Sequence, residues 1–379
     1  MDLLAFIIWS PEPEIFPNID WIQVRWYGLM FALGFIISQQ IMYFIYKKDG
    51  RPEVDVDTLT IFMIIATILG ARLGHVLFYE PEKYLTNPLN ILKIWEGGLA
   101  SHGGAFGILT ALYLYSNYYI NLNPFKKLVW KKRKRVGQSF LWVVDRVVIV
   151  VALTGALIRL GNFINSEIIG KPTENGSGVV FAHDVSEVLK YRPYIEHVAV
   201  EKTSDTNADA SGYVPIEIKI AFNAQVQNEG IAKTAVEGQI ASTLRSNPYI
   251  TDHIYLPELP FDYQIKEAKA GRYSAVIQAK GIPRHPAQLY ESISSFLLFL
   301  ILFILWYKKH QTMKEGWIFG IFLIILFGLR FLYEYLKENQ VEFENSLPLN
   351  MGQWLSIPLI LAGIYLLLNL KKFQPKTKV

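Results

Sequence analysis

The sequence predicts an all-α polytopic membrane protein of about seven transmembrane helices, with an α+β domain inserted on its outer side. Three observations predict it. Apolar residues make up 51% of the 379, and they fall in long blocks rather than scattered through the chain. The connections between blocks alternate between rich and poor in Lys and Arg. One stretch between Gly170 and Arg284 changes to the composition of a soluble domain.

The chain is expected to open with an interfacial segment. Leu3 to Trp9 is apolar but too short to span, and it lacks the basic flank and small-residue cleavage site of a signal peptide. Spanning segments follow at Trp26 to Tyr46, Leu59 to Phe78, Leu99 to Tyr119, Phe140 to Asn162, Gln288 to Tyr307, Trp317 to Leu336 and Trp354 to Leu370. Basic residues collect after the first (Lys47, Lys48, Arg51), third (Lys126, Lys127 and Lys131 to Arg135), fifth (Lys308, Lys309, Lys314) and seventh (Lys371, Lys372, Lys376, Lys378). The other connections carry only Lys83, Lys93 and Lys337 near their spans. The basic side is cytoplasmic, which puts the N-terminus outside and the C-terminus inside.

The division expected is a membrane part over 1–170, an external insertion over 171–284, and a second membrane part with a basic tail over 285–379. Within the insertion, Val214 to Phe222, His197 to Lys202 and Tyr273 to Lys280 read as strands, and Ile231 to Leu244 as an amphipathic helix. Asp205 to Gly212 reads as a loop. The chain has no cysteine, which excludes disulfides, thiolate metal sites and a cysteine nucleophile of its own. Neither a His-x-x-x-His spacing nor a carboxylate cluster implies a metal. The basic run at Lys131 is explained by topology and anionic lipid without nucleic acid, for which no basic folded surface is apparent.

Ionisable groups inside spans are costly, so they mark candidate sites. His102 stands among glycines in Gly97 to Gly107 (GGLASHGGAFG), where Gly103 and Gly104 leave room for a close approach. Arg72 lies late in the second span, Arg159 at the outer end of the fourth, and Arg330 and Glu334 are at i and i+4 on the sixth. Tyr27 opens the first span, while Asn162, Glu167 and Gly170 follow Arg159, and Glu291 enters the fifth. Each has a structural alternative: a glycine-lined helix contact at Gly103, a buried Arg330–Glu334 pair, a snorkelling Arg159, a Tyr27 in the aromatic belt. Together they fall in the outer half of the bilayer. Three guanidinium groups there suit a phosphate, so the residues alone predict a site for an anionic phospholipid.

Several motifs carry a family resemblance: GGLASHGG around His102, RLGNFINSEIIG from Arg159 to Gly170, RHPAQLYE from Arg284 to Glu291, Arg330 with Glu334, and MGQWLSIP from Met351 to Pro358. VRWYGLM (Val24 to Met30) and GARLGHVLFYE (Gly70 to Glu80) add the first two spans. The set resembles prolipoprotein diacylglyceryl transferases of the bacterial inner membrane, over essentially the whole transmembrane part. The chain departs from the family's usual pattern in a longer periplasmic insertion and a longer cytoplasmic connection around Lys131.

The resemblance implies transfer of the diacylglyceryl group of phosphatidylglycerol to the lipobox cysteine of a prolipoprotein signal peptide. A thioether forms, glycerol phosphate leaves, and no cofactor takes part. It casts His102 as base, with a carboxylate as the competing assignment, and Arg159 and Arg330 as stabilisers of the leaving phosphate. Glu334 orients Arg330, Tyr27 and Asn162 bind the head group, and Glu167 and Glu291 fix the entrance loops. Gly103, Gly104 and Gly170 give lipid and peptide close access, and Arg72 completes the three arginines. A lipid or anion transporter built on the same arginines is the rival reading, and a membrane-anchored binding module the third.

Overall fold

A run of apolar residues long enough to cover a bilayer satisfies its backbone only by closing on itself as a helix. A computed structural model describes residues 6–17, 24–93, 97–98, 100–120, 130–132, 135–258, 260–267, 271–338 and 347–374. The chain starts with β1 (Ile7–Trp9), α1 (Trp26–Lys48), α2 (Val54–Phe78), α3 (Pro81–Thr86), α4 (Ser101–Asn117), β2 (Tyr118–Ile120), β3 (Trp130–Lys132) and α5 (Phe140–Ile164). Then come β4 (Val179–Phe181), α6 (His183–Lys190), β5 (Ile195–Lys202), β6 (Val214–Phe222), α7 (Glu229–Ala235), α8 (Ala241–Ser246) and α9 (Pro248–Thr251). It ends with β7 (Ile254–Tyr255), β8 (Tyr263–Glu267), β9 (Tyr273–Gly281), α10 (Ala287–Lys309), α11 (Trp317–Tyr333) and α12 (Met351–Leu368).

Among the described residues, 6 helices are long and apolar enough to cross a membrane: α1, α2, α5, α10, the run Trp317–Leu336 that includes α11, and α12. The protein is mostly helical and polytopic. The segment expected as a third span forms α4, whose 17 residues make it shorter than these. Of the basic connection after it, Lys126, Lys127, Arg133 and Lys134 lie outside the described residues.

The chain divides into two compact units. The first comprises Met1–Met30, Ile158–Ser292 and Leu332–Asn350. Its sheet runs β5-β6-β9-β7, with β8 also paired to β9. β6 has the bounds the alternation predicts, and Val214, Ile216, Ile218, Ile220 and Phe222 all point inward. Each such side chain contributes roughly 1.5–3 kcal/mol by leaving water. The predicted amphipathic helix is one helical run, α7 and α8 joined by a π turn over Val236–Ile240, and it buries Ala232, Val236, Ile240 and Leu244 in the same core.

The N-terminal stretch departs from expectation. Rather than an interfacial anchor, Ile7–Trp9 pairs in parallel with β4, and Phe6 sits in the core beside Val180. Trp9 donates from Nε1 to the Phe163 carbonyl at 3.0 Å and stacks on that ring. A large apolar side chain finds a drier place in a protein core than at a membrane surface, and strand pairing satisfies the backbone as well.

The second unit comprises Phe31–Leu157, Ile293–Phe331 and Met351–Val379. Its core gathers Ile45, Tyr46, Leu112, Tyr115, Ile149, Leu302 and Trp306. Two buried acids tie helix ends together. Asp145 accepts from the Gly316 and Phe319 amides at 2.7 and 2.8 Å, at the start of α11, where orphan N–H groups need an acceptor. Asp49 pairs with Arg146 and His310, each at 2.8 Å, tying the chain just beyond α1 to α5 and to the end of α10.

Candidate active site

The sequence-predicted residues fall into two groups, one in each unit. In the first unit the C-terminal end of α5 presents Arg159 and Asn162, and the chain then turns sharply. Ser166 and Ile168 adopt positive φ values of 58° and 56°. For a β-branched residue that conformation is strained, and strain of this kind clusters at functional sites. Between them Glu167 is held on several sides. Its amide donates to the Asn162 carbonyl at 2.9 Å, and its carboxylate accepts from the Asn162 and Asn165 side-chain amides at 3.2 and 3.3 Å. Arg25 reaches the same carboxylate at 3.6 Å, and Gln288 donates to the Glu167 carbonyl at 2.5 Å. Tyr27 lies where α1 meets α5: a Cβ on Gly161 would stand 2.8 Å from the Tyr27 Cα. Its phenol is within electrostatic reach of both Arg159 and Glu167.

A chain of alternating charges continues from Arg159. Its Nε lies 2.5 Å from Glu291 Oε2, and the other oxygen of that carboxylate is held by Lys337. Lys337 also lies 3.4 Å from Glu334 Oε1, and Asn350 donates to Glu334 Oε2 at 3.3 Å. Glu334 starts a 3₁₀ turn after α11 rather than continuing the helix. Lys337 is the residue that sequence reasoning passed over, taken only as a lysine on the sparsely charged side. Its signal was that exceptional position, three residues after an intramembrane glutamate.

Gly170 is placed by packing. Its amide donates to the His285 carbonyl at 3.2 Å, and its carbonyl accepts from buried Arg284 at 3.1 Å. A Cβ there would come within 2.9 Å of the Leu336 carbonyl oxygen. The missing side chain admits neighbouring backbone.

In the second unit His102 sits in the first turn of α4 with its ring exposed, and Arg330 near the end of α11 is within electrostatic reach of it. The other expected members of this group have structural tasks. Gly103 meets the backbone of α2: Cβ atoms on Gly70 and Gly74 would fall 2.5 Å from its carbonyl oxygen and 2.6 Å from its Cα. Gly70 and Gly74 on α2 face Gly103 and Gly107 on α4, two glycines four apart on each helix, which lets the backbones approach. Gly104 is buried on the same side, with Ala71 and Thr67 as neighbours. The helix contact accounts for Gly103; at Gly104 a Cβ would meet its neighbours only at 3.7 and 3.8 Å.

Arg72 is likewise a correction. It is 2% exposed, and its guanidinium donates to the carbonyls of Asn90, Ile91, Lys93, Gly97 and Gly98 at 2.5–3.3 Å. Five donors are available on a guanidinium. All are engaged with backbone, so Arg72 fastens the loop before α4 and has nothing left to offer a phosphate.

A family profile described as prolipoprotein diacylglyceryl transferase matches residues 14–369. The chain belongs to that family. It is 34% identical to the phosphatidylglycerol–prolipoprotein diacylglyceryl transferase of Tolumonas auensis over 362 residues, covering 96% of both chains. It is 32% identical to the enzyme of that name from Chloroherpeton thalassium over 367 residues, 97% of this chain and 95% of the relative. The corresponding protein of Porphyromonas gingivalis is 30% identical over 378 residues, covering 98% and 97%. Coverage of this order includes 171–284, so these diacylglyceryl transferases also have a segment aligned with the insertion. The comparisons lend the transporter reading no support.

Proposed function

We propose that the protein joins a diacylglyceryl group from phosphatidylglycerol to the lipobox cysteine of a prolipoprotein at the outer face of the bacterial inner membrane. Transfer of diacylglyceryl from phosphatidylglycerol to prolipoprotein is what the family relationship indicates, and that relationship, over residues 14–369, carries the reading. The substrate sulfur attacks the glyceryl carbon that bears the phosphate. The carbon–oxygen bond breaks, glycerol phosphate leaves with the electron pair, and the thiol proton passes to a base. Because the chain has no cysteine, the sulfur comes from the substrate.

Arg159 and Arg330 neutralise the leaving phosphate, since a guanidinium fork matches two phosphate oxygens and its charge counts most where water is scarce. His102 is the base, with a glutamate as the competing assignment. Tyr27 and Asn162 take the glycerol head group, while Glu167 and Glu291 frame the entrance. The N-terminus lies in the periplasm and the C-terminus in the cytoplasm. In this topology α4 supplies the seventh span; its 17 residues cover about 26 Å at 1.5 Å per residue. The shortfall from a hydrocarbon core of ~30 Å is met by local thinning or snorkelling. The insertion is a periplasmic α+β head.

One assay tests this. Purified protein is mixed with phosphatidylglycerol and a lipobox peptide, and the peptide mass is followed. A gain of one diacylglyceryl unit, lost in Arg330→Ala, is the expected result. Lipid flux with no covalent change would overturn it. The cysteine-free chain also allows single introduced cysteines to be labelled from either side, which checks the topology directly.

A further inference from the structure

We propose that Lys337 is a positioning residue of the transfer, keeping Glu291 paired while Arg159 leaves that carboxylate for the lipid phosphate. The inference rests on the transferase reading above. Its ground is the division of Glu291 between two cations: Oε2 to Arg159 at 2.5 Å, Oε1 to Lys337. The two cations differ in exposure. The Arg159 side chain is 25% exposed, whereas Lys337 as a residue is only 5% exposed.

The backbone holds Lys337 in place. It pairs with Gly170 in an isolated β-bridge, and the neighbouring Lys171 amide donates to the Leu336 carbonyl at 2.8 Å. The segment that carries Lys337 is therefore tied to the segment that follows Arg159 on α5. Its ammonium is anchored a second time by Glu334 at 3.4 Å.

This arrangement addresses a specific difficulty. A guanidinium locked to a buried carboxylate is a poor phosphate ligand, because leaving strands a charge out of water. With Lys337 on the other oxygen, Glu291 stays compensated when Arg159 turns away. The residue types suit their parts. Arginine offers a planar fork for two phosphate oxygens, and lysine a compact charge that needs no particular plane.

The test is steady-state kinetics of peptide diacylglycerylation with phosphatidylglycerol varied. Lys337→Met is expected to lower kcat/KM for the lipid on the order of 100-fold, and Lys337→Arg to recover most of it. The decisive comparison adds Glu291→Gln. If Lys337 serves to balance Glu291, Lys337→Met with Glu291→Gln regains about tenfold or more over Lys337→Met alone. A lysine that merely supports the fold gives a double variant no better than the single, and that result overturns the proposal. So does a Lys337→Met protein with wild-type kcat and KM. Should Lys337→Met fail to fold, Lys337→Gln with and without Glu291→Gln carries the same comparison. Full activity in Arg159→Ala, by contrast, overturns the transferase site itself and is distinguishable from either outcome.

Discussion

Arg72 and Arg159 are alike in sequence and opposite in circumstance. Each is an arginine two residues from a glycine, near the C-terminal end of an apolar segment. Arg72 is enclosed, with five neutral carbonyl oxygens around its guanidinium. Arg159 is partly exposed and bound to a carboxylate that a second cation already holds. An arginine surrounded by backbone carbonyls is a cross-link: its hydrogen bonds fix a loop and cannot be exchanged without unfolding it. An arginine on a shared carboxylate can trade one anion for another. The difference lies in partners, not in the residue.

The largest expected effect is at Arg159. Arg159→Lys keeps the charge and loses the fork, so kcat/KM for phosphatidylglycerol should fall about 10²–10³-fold while the melting temperature in detergent changes little. Retained activity would remove the distinction between the two arginines. Arg72→Met should do the reverse. Several backbone carbonyls lose a buried charged donor, each left unsatisfied costing about 1–3 kcal/mol, and the loss should appear as a lower melting temperature and faster proteolysis between Asn90 and Gly98.

Gly103→Ala sharpens the comparison on the helix that carries His102. Its Cβ would enter the α2 backbone, and overpacking of this kind costs about 1–3 kcal/mol. Gly155→Ala on α5, where a Cβ meets nothing within 4 Å, serves as control. It should leave the melting temperature unchanged or raise it. Wild-type stability in Gly103→Ala would restore the expectation that this glycine serves the lipid.

The smallest effect is in the first unit's soluble-type segment. A hydrogen bond from His253 holds the Asp184 carboxyl below the ordinary carboxylate range. A depressed folded value adds stability that is present above the unfolded value of 3.8 and lost as pH falls through the folded one. Asp184→Asn should therefore lower stability slightly near neutrality, flatten the fall below about pH 4 and converge on the wild type in acid. An unchanged acid limb in thermal melts from pH 3 to 7 would contradict this.

Much of the fold is written in periodicity. β6 has the bounds its alternation announces, and the apolar blocks become helices, because burial and backbone satisfaction act on the same residues. Packing partners are not written there. Gly103 reads as ligand space and, with Gly107, faces Gly70 and Gly74, although both pairs have the same spacing in the sequence. Phe6 falls in a stretch that reads as an interfacial segment and is in a core, since an apolar side chain does not announce which dry environment it will find. Of the candidate site, Arg159, Asn162, Glu167, Glu291 and Glu334 meet charged or polar partners in one unit, as ionisable groups within spans suggest. Lys337 was hidden because a lysine near a span end reads as topology until its carboxylates are seen around it.

We propose that Arg159, and not Arg72, handles the lipid phosphate. It is tested most directly by intact-mass measurement of a lipobox peptide incubated with Arg159→Ala and Arg72→Ala, each normalised to folded protein. Arg159→Ala should give no diacylglyceryl adduct, and Arg72→Ala near-normal turnover per folded molecule. An adduct formed by Arg159→Ala but not by Arg72→Ala would contradict it.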